Sequence, residues 1–375
     1  MTNSLQLQNL KDFIYENWQH SGFQKPTPIQ EQAIPKILQG KDVIAQSPTG
    51  SGKTLAYVIP ILEKIDESIK GLQTVILVPS RELAMQILDV IRSLSKGTTI
   101  KCAAFIGGAN IKKQIEKLKE KPQIAVGTPG RIFELIKMKK MKMHQVKMIV
   151  IDEADELLGQ EHIQHVEATI KSTLKERQLL LFSATMTKET EERAKTIMKD
   201  PVHISIDKSQ KQGNTEHFYI PSEQREKVDV VRKIFHTNPG RAILFIKNSE
   251  LLEEVAIKLT FHGLKVAVLA GESKKWDRKQ AIKDFRSGKI SFLLTTDVAA
   301  RGLDIEDVDL IIHYDFPSTT NQHIHRSGRT GRLGKQGTVI SLVNAKEISF
   351  LKKMGKELKI SMRQKRVVRG KIIDA

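Results

Sequence analysis

Residues 43–54 read VIAQSPTGSGKT, in which an apolar run passes through a glycine-containing loop into a helix that begins at Leu55. A loop that wraps phosphates needs glycines, because several backbone N–H groups must converge on one anion, and Gly50 and Gly52 supply them. The N-terminus of the following helix adds its partial positive charge. This strand–loop–helix sequence predicts an α/β fold with a phosphate site in its first unit.

Two side chains of the same loop suit a nucleoside triphosphate with Mg²⁺. Lys53 can reach the β- and γ-phosphates, and the Thr54 hydroxyl can ligate the metal. Ser47 stands where the G-x-x-x-x-G-K-[ST] pattern has its first glycine, so the match to that pattern is incomplete. The alternative interpretation is a glycine-rich turn that only caps a helix. The nucleotide-binding residues predicted in this loop are Thr49, Gly50, Ser51, Gly52, Lys53 and Thr54.

An acidic tetrapeptide follows another apolar run further downstream. The run Met148–Ile151 ends in Asp152-Glu153-Ala154-Asp155. Asp152 is predicted to hold Mg²⁺ through its water shell, and Glu153 to polarise the attacking water, as an ATP-hydrolysing site requires. Acids in this position also occur simply because they stabilise a helix N-terminus. The phosphate loop upstream favours the catalytic interpretation.

Short apolar runs recur along the chain in two series, each run followed by a turn and a helical pattern. Their hydrophobicity is continuous rather than alternating, which is typical of parallel strands covered on both faces. The first series is Val43–Gln46, Val75–Val78, Ile124–Gly127, Met148–Asp152 and Leu179–Ala184, and the second is Ala242–Ile246, Val266–Ala270, Phe292–Asp297, Leu310–Tyr314 and Val339–Val343. Helical stretches such as Glu82–Leu94 and Glu250–His262 fill the gaps. The polar segment Ser205–Asn214 is predicted to link two mostly parallel sheets, each covered by helices.

The overall composition indicates an acidic partner. The chain has 375 residues, with 61 Lys and Arg against 43 Asp and Glu, which gives a formal charge of +18. This balance favours a polyanion, for which nucleic acid is the expected class. The single cysteine, Cys102, excludes an internal disulfide framework and a cysteine-based zinc cluster. The sequence has no apolar run of the ~18 residues that a membrane span needs and begins without a signal-peptide pattern, so we expect a cytoplasmic protein without membrane association.

The motifs, taken in order, resemble those of the DEAD-box ATP-dependent RNA helicases of superfamily 2, over residues 5–345. The matching segments are Gly22-Phe23, Pro26, Thr27-Pro-Ile-Gln30, Ser47–Thr54, Pro79-Ser-Arg-Glu-Leu-Ala84, Gly107-Gly108, Thr128-Pro-Gly-Arg131, Asp152–Asp155, Ser183-Ala-Thr185, Leu244–Ser249, Thr295–Asp304 and His325–Arg332. The resemblance implies two tandem RecA-like domains, residues 1–207 and 215–345. They would be joined by a linker at 208–214 and followed by a short basic tail at 346–375.

The resemblance also implies which residues hold the nucleotide. Phe23 and Gln30 would contact adenine, and the donor and acceptor of a glutamine amide suit its N6 and N7 edge. Gly302 and Asp304 would belong to the same site, with Asp304 at the ribose. ATP and Mg²⁺ are therefore the expected substrate and cofactor.

Further roles implied by the resemblance lie on both domains. Arg329 and Arg332 would reach the γ-phosphate across the cleft, where such an arginine can supply a rate factor on the order of 10³–10⁵. The implied RNA-backbone contacts are Pro79, Arg81, Gly108, Thr128, Arg131 and Thr295. The residues implied in coupling ATP hydrolysis to strand separation are Ser183, Thr185, Asp155 and His325. Contacts of this kind hold phosphates and sugars and read no bases, so RNA binding should be largely independent of sequence.

Three positions depart from the family pattern and keep alternatives open. Leu5 replaces an aromatic residue ahead of the Q motif, Ala270 replaces a histidine, and Lys275 replaces a glutamine. The leading interpretation is a monomeric RNA-stimulated ATPase that separates short duplexes, with ribosome assembly or cold-related RNA remodelling, and hence ribosomal precursors, suggested by family analogy. The alternatives are an ATP-gated RNA clamp that does not unwind, and a DNA helicase or translocase, against which Gln30 and Asp155 count.

The C-terminal segment from Ala345 to Ala375 carries ten Lys and Arg against three Asp and Glu. It is too short to bury a core of its own. We expect one or two helices packed on the second domain with a solvated basic face. The alternative is an additional strip that contacts RNA.

Overall fold

The computed structural model describes residues 7–21, 25–206, 215–237, 240–270, 275–300, 305, 308–331, 335–368 and 371–374. The chain divides into two units, Met1–Lys208 and Ser209–Ala375, each built around its own sheet. The predicted linker at 208–214 lies outside the described residues. Within the described ranges, no helix combines the length and the apolar character needed to cross a membrane.

The first unit contains a seven-stranded parallel sheet covered by helices on both faces. Its strands are β1 Val43–Gln46, β2 Thr74–Leu77, β3 Cys102–Phe105, β4 Ile124–Gly127, β5 Met148–Asp152, β6 Gln178–Ser183 and β7 Val202–Ser205. They lie in the order β3–β4–β2–β5–β6–β1–β7. After a 3₁₀ turn at Leu7–Asn9, the helices are α1 Asp12–His20, α2 Pro28–Leu38, α3 Lys53–Lys64, α4 Arg81–Leu94, α5 Ile111–Lys119, α6 Pro129–Lys137, α7 Ala154–Leu157, α8 Ile163–Lys171 and α9 Lys188–Ile197.

Both faces of this sheet are buried, which confirms what the continuous hydrophobicity predicts. Val43 and Ala45 of β1 pack into one core, and Ile44 between them packs into the other. Alternate residues of a strand point to opposite faces, so a strand covered on both sides needs apolar residues at every position. Two strands that the apolar runs do not predict, β3 and β7, form the two edges of the sheet. β7 is half exposed and β3 contains two small alanines, so neither carries a strong apolar run.

The second unit contains an eight-stranded sheet. Its strands are β8 Thr215–Pro221, β9 Ala242–Phe245, β10 Val266–Leu269, β11 Phe292–Thr295, β12 Leu310–His313, β13 Gly337–Val343, β14 Met362–Val368 and β15 Lys371–Asp374. They lie in the order β10–β11–β9–β12–β13–β8–β14–β15, and only the β14–β15 pair is antiparallel among the described strands. The helices are α10 Lys227–Thr237, α11 Ser249–Phe261, α12 Lys275–Arg286, α13 Asp297–Ala300, α14 Thr320–Ser327 and α15 Ala345–Leu358.

The basic C-terminal segment departs from the prediction of one or two packed helices. α15 is helical as predicted, but β14 and β15 form a hairpin, and β14 joins the sheet beside β8. Val367 and Ile372 of the hairpin pack against the core of the second unit. The prediction is wrong for this half of the segment because charge does not distinguish helix from strand, whereas the pairs Val367-Val368 and Ile372-Ile373 are β-branched and favour a strand.

Three histidines meet inside the second unit. The ring of His323 on α14 lies 5.3 Å from that of His217 on β8 and 5.1 Å from that of His313 on β12, measured between centroids. His313 Nδ1 lies 3.0 Å from the Ser341 hydroxyl. Burial lowers the pKa of His217 to about 4 and that of His323 to about 3, and it holds the pKa of His313 well below its ordinary value. All three rings are therefore neutral in the folded unit near neutral pH.

We predict that this histidine cluster makes the second unit sensitive to acid. In the unfolded chain each histidine takes up a proton near pH 6.5, whereas in the folded unit it stays neutral to a lower pH. The unfolded state then binds more protons, so stability falls as the pH drops below about 6.5, by on the order of 1 kcal/mol per histidine and pH unit. His217→Gln should therefore reduce the loss of melting temperature between about pH 7.5 and 5.5 in differential scanning calorimetry.

The matched control is His236→Gln, which changes an exposed histidine on α10. This control should keep the pH response of the parent chain. An identical pH response in the two variants would contradict the role given to the buried cluster.

Candidate active site and nucleic-acid interface

The phosphate loop joins β1 to α3 at the carboxyl edge of the first sheet. Gly50 and Gly52 adopt positive φ values of 76° and 92°, which glycine tolerates and other residues rarely adopt. A Cβ atom at Gly52 would also collide with the Gln30 side chain and crowd the Thr27 hydroxyl. Glycine is therefore required at Gly52 by both its backbone conformation and its neighbours.

Lys53 is buried and folds back over the loop that precedes it. Its ammonium donates to the carbonyl oxygens of Ser47, at 2.8 Å, and Pro48, at 3.0 Å. The hydroxyls of Ser47 and Ser51 hydrogen-bond to each other and tighten the same loop. Because the hydrogen-bond acceptors of the ammonium are neutral carbonyls, its positive charge is not cancelled within the loop and suits a phosphate.

Gln30 ties the start of α2 to the phosphate loop. Its side-chain oxygen accepts from the backbone N–H of Thr27 at 2.9 Å, and its amide nitrogen donates to the Gly52 carbonyl at 3.1 Å. A glutamine amide has two N–H donors and an oxygen with two lone pairs, so each side retains capacity for a ligand. Beside it the Thr27 hydroxyl is buried and has no hydrogen-bond partner among the described residues. These groups fit a polar ligand such as a nucleotide.

Asp152 lies buried at the end of β5, and two groups fix its carboxylate. Tyr57 of α3 donates its phenol to Oδ2 at 2.8 Å, and the backbone N–H of Glu153 donates to Oδ1 at 3.0 Å. Burial and then the charge of Glu153 raise the pKa of Asp152 to about 6, while Lys53 opposes that rise. Burial also raises the pKa of Tyr57 well above its ordinary value, so the phenol keeps its proton and remains a donor.

Asp155 connects the acidic turn to the end of β6. Its carboxylate accepts the hydroxyls of Ser183, at 2.6 Å, and Thr185, at 2.5 Å. The carbonyl of Ser183 in turn accepts from the backbone N–H of Ser47 at 3.0 Å. The turn after β5, the end of β6 and the start of the phosphate loop are thus joined by one continuous set of hydrogen bonds.

Arg81 stands where β2 leads into α4. Ser80 caps this helix by accepting from the Leu83 N–H at 3.1 Å, and Pro79 precedes it. The Arg81 guanidinium lies directly against Gly108, where φ is 68° and any Cβ atom would collide with it. The predicted motif residues Pro79, Arg81 and Gly108 are therefore neighbours.

Thr128 and Arg131 stand at the start of α6, after β4. The Thr128 hydroxyl accepts from the Gly107 N–H at 3.3 Å. Arg131 donates to the Ala109 carbonyl at 3.0 Å and pairs with Glu134 at 2.8 Å. These bonds tie the loop after β3 to the start of α6, so the cationic and hydroxyl groups predicted to bind RNA form one cluster.

The strand order separates the predicted nucleotide and RNA groups. β3, β4 and β2 are consecutive in the sheet, and the residues after them are those predicted to contact RNA. β5, β6 and β1 are also consecutive, and they carry the acidic turn, the Ser183-Ala-Thr185 segment and the phosphate loop. Ligands of open parallel sheets bind at the carboxyl ends of the strands, so one edge can bind both.

The predicted site residues that the structure describes in the second unit lie at the end of β11 and in or after α14. Thr295 ends β11, and its fully buried hydroxyl donates to the Thr296 carbonyl at 3.1 Å, so its RNA contact stays a prediction. His325 lies in α14, and Arg329 follows that helix. The predicted residues Phe23, Gly302, Asp304 and Arg332 lie outside the described residues.

A buried ion pair that no sequence motif indicates anchors α14. Arg326, 2% exposed, donates to both carboxylate oxygens of Asp297 at 2.6 Å and to the Asp315 carbonyl at 2.8 Å. A bidentate pair of this kind fixes orientation as well as position. It sets the direction of the helix that leads to Arg329.

Tyr57 is also missed, because it lies in the apolar run that follows Thr54 and has the pattern of a core residue. Its ring does pack in the core and meets Phe182 edge to face, with centroids 5.1 Å apart. Only its hydroxyl reaches Asp152. A tyrosine one helical turn after a phosphate loop was the available signal, since a buried phenol usually needs a hydrogen-bond partner.

Comparison with known proteins gives consistent matches over both units. The family model described as "DEAD/DEAH box helicase" matches residues 27–193, and the one described as "Helicase conserved C-terminal domain" matches residues 226–334. The "Probable ATP-dependent RNA helicase YfmL" of Bacillus subtilis strain 168 is 49% identical over 367 residues, covering 98% of this chain and 97% of the relative. The "DEAD-box ATP-dependent RNA helicase CshC" of Bacillus cereus strain ATCC 14579 is 46% identical over 368 residues, covering 98% and 95%.

Solved structures of similar fold were determined with ligands. The structure of Saccharomyces cerevisiae Dbp5 bound to RNA and ADP BeF3 matches with a TM-score of 0.86 and 31% identity, covering 95% of this chain and 94% of that one. The structure of Mss116p bound to ssRNA and AMP-PNP matches with a TM-score of 0.85 and 26% identity, covering 97% and 80%.

The contact between Tyr57 and Asp152 predicts a measurable cost when the phenol oxygen is removed. Tyr57→Phe keeps the ring in the core but leaves a buried carboxylate oxygen without its donor, which should lower the free energy of unfolding by about 1–2 kcal/mol in urea titrations. Tyr15→Phe is the matched control, because among the described residues the Tyr15 hydroxyl accepts a hydrogen bond only from the exposed Gln19 amide. Equal stability of the two variants would contradict the role given to Tyr57.

Proposed function

This chain belongs to the DEAD-box family of ATP-dependent RNA helicases, and from that membership we propose that it uses ATP and Mg²⁺ to separate short RNA duplexes locally. The observation that carries the proposal is the convergence of the phosphate loop, the acidic turn and the Arg81–Gly108 cluster on one edge of the first sheet. ATP and the RNA backbone can therefore act on the same set of loops.

The nucleotide would be held by the loop and by the Q motif. Lys53 supplies the charge for the phosphates. Gln30, which is already bonded to Gly52, would use its remaining hydrogen-bond donor and acceptor capacity for the base. Asp152 and Thr54 carry the oxygen donors that Mg²⁺ prefers. When bound, Mg²⁺ neutralises charge on the phosphates. Tyr57 and the Glu153 N–H keep the Asp152 carboxylate oriented for that role.

Glu153 is the residue we assign to the attacking water. It adopts a left-handed backbone conformation, with φ of 53°, at the sharp turn from β5 into α7. A non-glycine residue in this conformation is uncommon and is often found at functional sites. We infer that the turn holds Glu153 beside Asp152 so that its carboxylate can take a proton from water.

Asp155 couples the nucleotide to the rest of the edge in this proposal. The Ser183 and Thr185 hydroxyls can keep both of their bonds to Asp155 only while the acidic turn and the end of β6 stay in register. A shift of the turn between nucleotide states would therefore reach β6. The RNA cluster would hold phosphates and sugars, so that binding depends little on base sequence.

The cellular setting is also a proposal. The expected location is the cytoplasm and the expected state a monomer. The net charge of +18 supports an RNA target, and ribosomal precursors are the class that family analogy suggests. Crosslinking of bound RNA in cells, followed by sequencing, identifies that target directly.

We predict that Glu153→Gln lowers RNA-stimulated ATP hydrolysis by roughly 10²–10⁴-fold, because the water loses its base. Nucleotide affinity should stay close to that of the parent chain, since Asp152 and the loop are unchanged. Lys53→Ala should instead lower the affinity for the nucleotide, because Lys53 supplies the charge for the phosphates. Hydrolysis is measured by phosphate release at saturating RNA, and affinity by titration of a fluorescent nucleotide.

The matched control for this pair is Glu156→Gln, which removes a half-buried acid three residues after Glu153, in the short helix α7. Parental hydrolysis by Glu153→Gln would contradict the assignment. A second assay, the displacement of a labelled strand from a short duplex, distinguishes a helicase from an ATP-gated clamp. Hydrolysis without displacement would contradict duplex separation and favour the clamp.

A further inference from the structure

One segment of the first unit, residues 111–147, is strongly basic. It has eleven Lys and Arg against three Asp and Glu, in a chain whose formal charge is +18. Its helix α5 begins directly after the loop that contributes Gly108 to the RNA cluster, which consists of Arg81, Gly108, Thr128 and Arg131. We propose that Lys113 and Lys117 of α5 form a second RNA site, which binds the backbone of the strand where it leaves the RNA cluster. This site rests on the proposed function, because it presumes that the cluster binds RNA.

Hydrogen bonds hold the start of α5 next to the RNA cluster. The buried Gln114 side chain accepts from the Ile106 N–H and donates to the Ile106 carbonyl, both at 3.0 Å. The loop between Ile106 and α5 carries the Ala109 carbonyl, which accepts from Arg131 at 3.0 Å. The apolar side of α5 packs against the core of the first unit. The backbone from which the α5 lysines project is therefore fixed beside a residue of the cluster.

Lys113 and Lys117 lie on one exposed side of α5. They are four residues apart, so they are neighbours on the helix surface, about 6 Å apart along its axis. Both are exposed, and neither pairs with an acid among the described residues. Glu116 is already paired with Lys119 at 2.8 Å, and Glu120 stands at the far end of the helix. Two cations in a row without acidic partners are suited to successive phosphates of one strand.

Helix stability does not explain the lysines at the start of α5. The N-terminus of a helix is a positive pole, which favours acids and disfavours cations. The first turn of α5 contains Lys112 and Lys113 and no acid, whereas the first turns of α4 and α9 contain Glu82 and Glu189. The Asn110 side chain already accepts from the backbone N–H groups of both lysines, so their ammonium groups are what this end of α5 offers an anion. Such a departure from local stability is expected where binding requires it.

The distribution of charge favours a long RNA over a small anion. α6 packs on the same face of the sheet as α5, and exposed lysines at its end and beyond it are Lys137, Lys139, Lys140 and Lys142. Of the basic residues in 111–147, all of which the structure describes, only Lys119 and Arg131 pair with an acid. A single small anion would neutralise little of this charge, whereas a polyanion gains affinity with each phosphate that it brings to the surface. α5 adjoins the RNA cluster and is the part of this surface that a bound strand reaches first.

The test measures how much affinity an RNA gains when it is lengthened beyond the RNA cluster. A short single strand is compared with the same strand lengthened at its 5′ end or at its 3′ end, by fluorescence anisotropy across a salt series with a non-hydrolysable ATP analogue present. One of the two extensions should tighten binding to the parent chain several-fold. Lys113→Gln/Lys117→Gln should bind the short strand like the parent and lose most of that gain. Its log–log salt slope on the lengthened strand should be shallower by about 0.7 for each lost phosphate contact.

The matched control is Lys36→Gln/Lys41→Gln, which removes two exposed lysines from the end of α2 and the turn after it. α2 packs on the opposite face of the first sheet from α5, so the control loses the same charge on a different surface. It should keep the gain from lengthening the strand. Thermal melts establish that both variants fold, and the α5 variant should not melt lower than the parent, because a lysine in the first turn opposes the helix dipole. Hydrolysis at saturating RNA should stay parental.

Four outcomes would overturn the second site. The α5 variant could keep the parental gain, lose affinity equally for the short and the lengthened strands, or lose no more of the gain than the control does. The parent chain could also bind all three strands with equal affinity. If the parent chain binds none of the strands, the proposed function itself fails, and that result is distinct from binding at the RNA cluster without a second site.

Discussion

The parallel register of the first sheet is the constraint on which the rest of the site depends. Gln46 pairs with Ser183, and Asp152 with Phe182, so the ends of β1, β5 and β6 are level with one another. A parallel sheet has all its carboxyl ends on the same edge, and the segments that follow the strands must meet there. The hydrogen bonds that the Ser183 hydroxyl donates to Asp155 and that the Ser47 N–H donates to the Ser183 carbonyl exist only because of that alignment.

The polar groups at this edge are costly to bury and therefore have to be fixed. Asp152 is almost fully buried, and its pKa of about 6 reflects the penalty that burial places on the charged form. Tyr57 and the Glu153 N–H offset part of that penalty with two hydrogen bonds. Lys53 is likewise a buried charged group, and its ammonium is held by hydrogen bonds to two carbonyls. A buried acid and a buried ammonium held by neutral groups are suited to a ligand that brings phosphates and a cation.

Much of this arrangement could be predicted from the sequence, because local rules and tertiary structure agree. The apolar runs locate the central strands, and the glycines of the loop are required by backbone geometry at Gly50 and Gly52. The place of the acidic turn at the sheet edge could be predicted because it directly follows the apolar run of β5. The place of Tyr57 one turn after the loop indicates that its phenol needs a hydrogen-bond partner. Which partner it meets could not be predicted, since that depends on how α3 lies on the sheet. The edge strands β3 and β7 could not be predicted from apolar runs, because β7 is half exposed and two of the four residues of β3 are small alanines.

The C-terminal segment is a second case in which the sequence pattern does not determine the local structure. Its charge predicts a basic surface and is compatible with a helix or a strand. Whether it forms a helix or a strand depends on long-range contacts. Val367 and Ile372 pack against the core, and Lys365 contacts the Phe218 ring and pairs with Asp374. Histidines 217, 313 and 323, from three separate elements, likewise meet only in the folded unit.

The division of one sheet edge into a nucleotide half and an RNA half is the central claim, and Arg81→Ala tests it most directly. Arg81 lies against Gly108 in the proposed RNA half, and the described structure shows no hydrogen bond between its side chain and the phosphate loop. The measurement is the affinity of the full chain for a fluorescent nucleotide without RNA, together with the RNA concentration that half-saturates ATP hydrolysis. The account predicts unchanged nucleotide affinity and a several-fold higher RNA requirement. Nucleotide affinity that falls as far as in Lys53→Ala, or an unchanged RNA requirement, would contradict it.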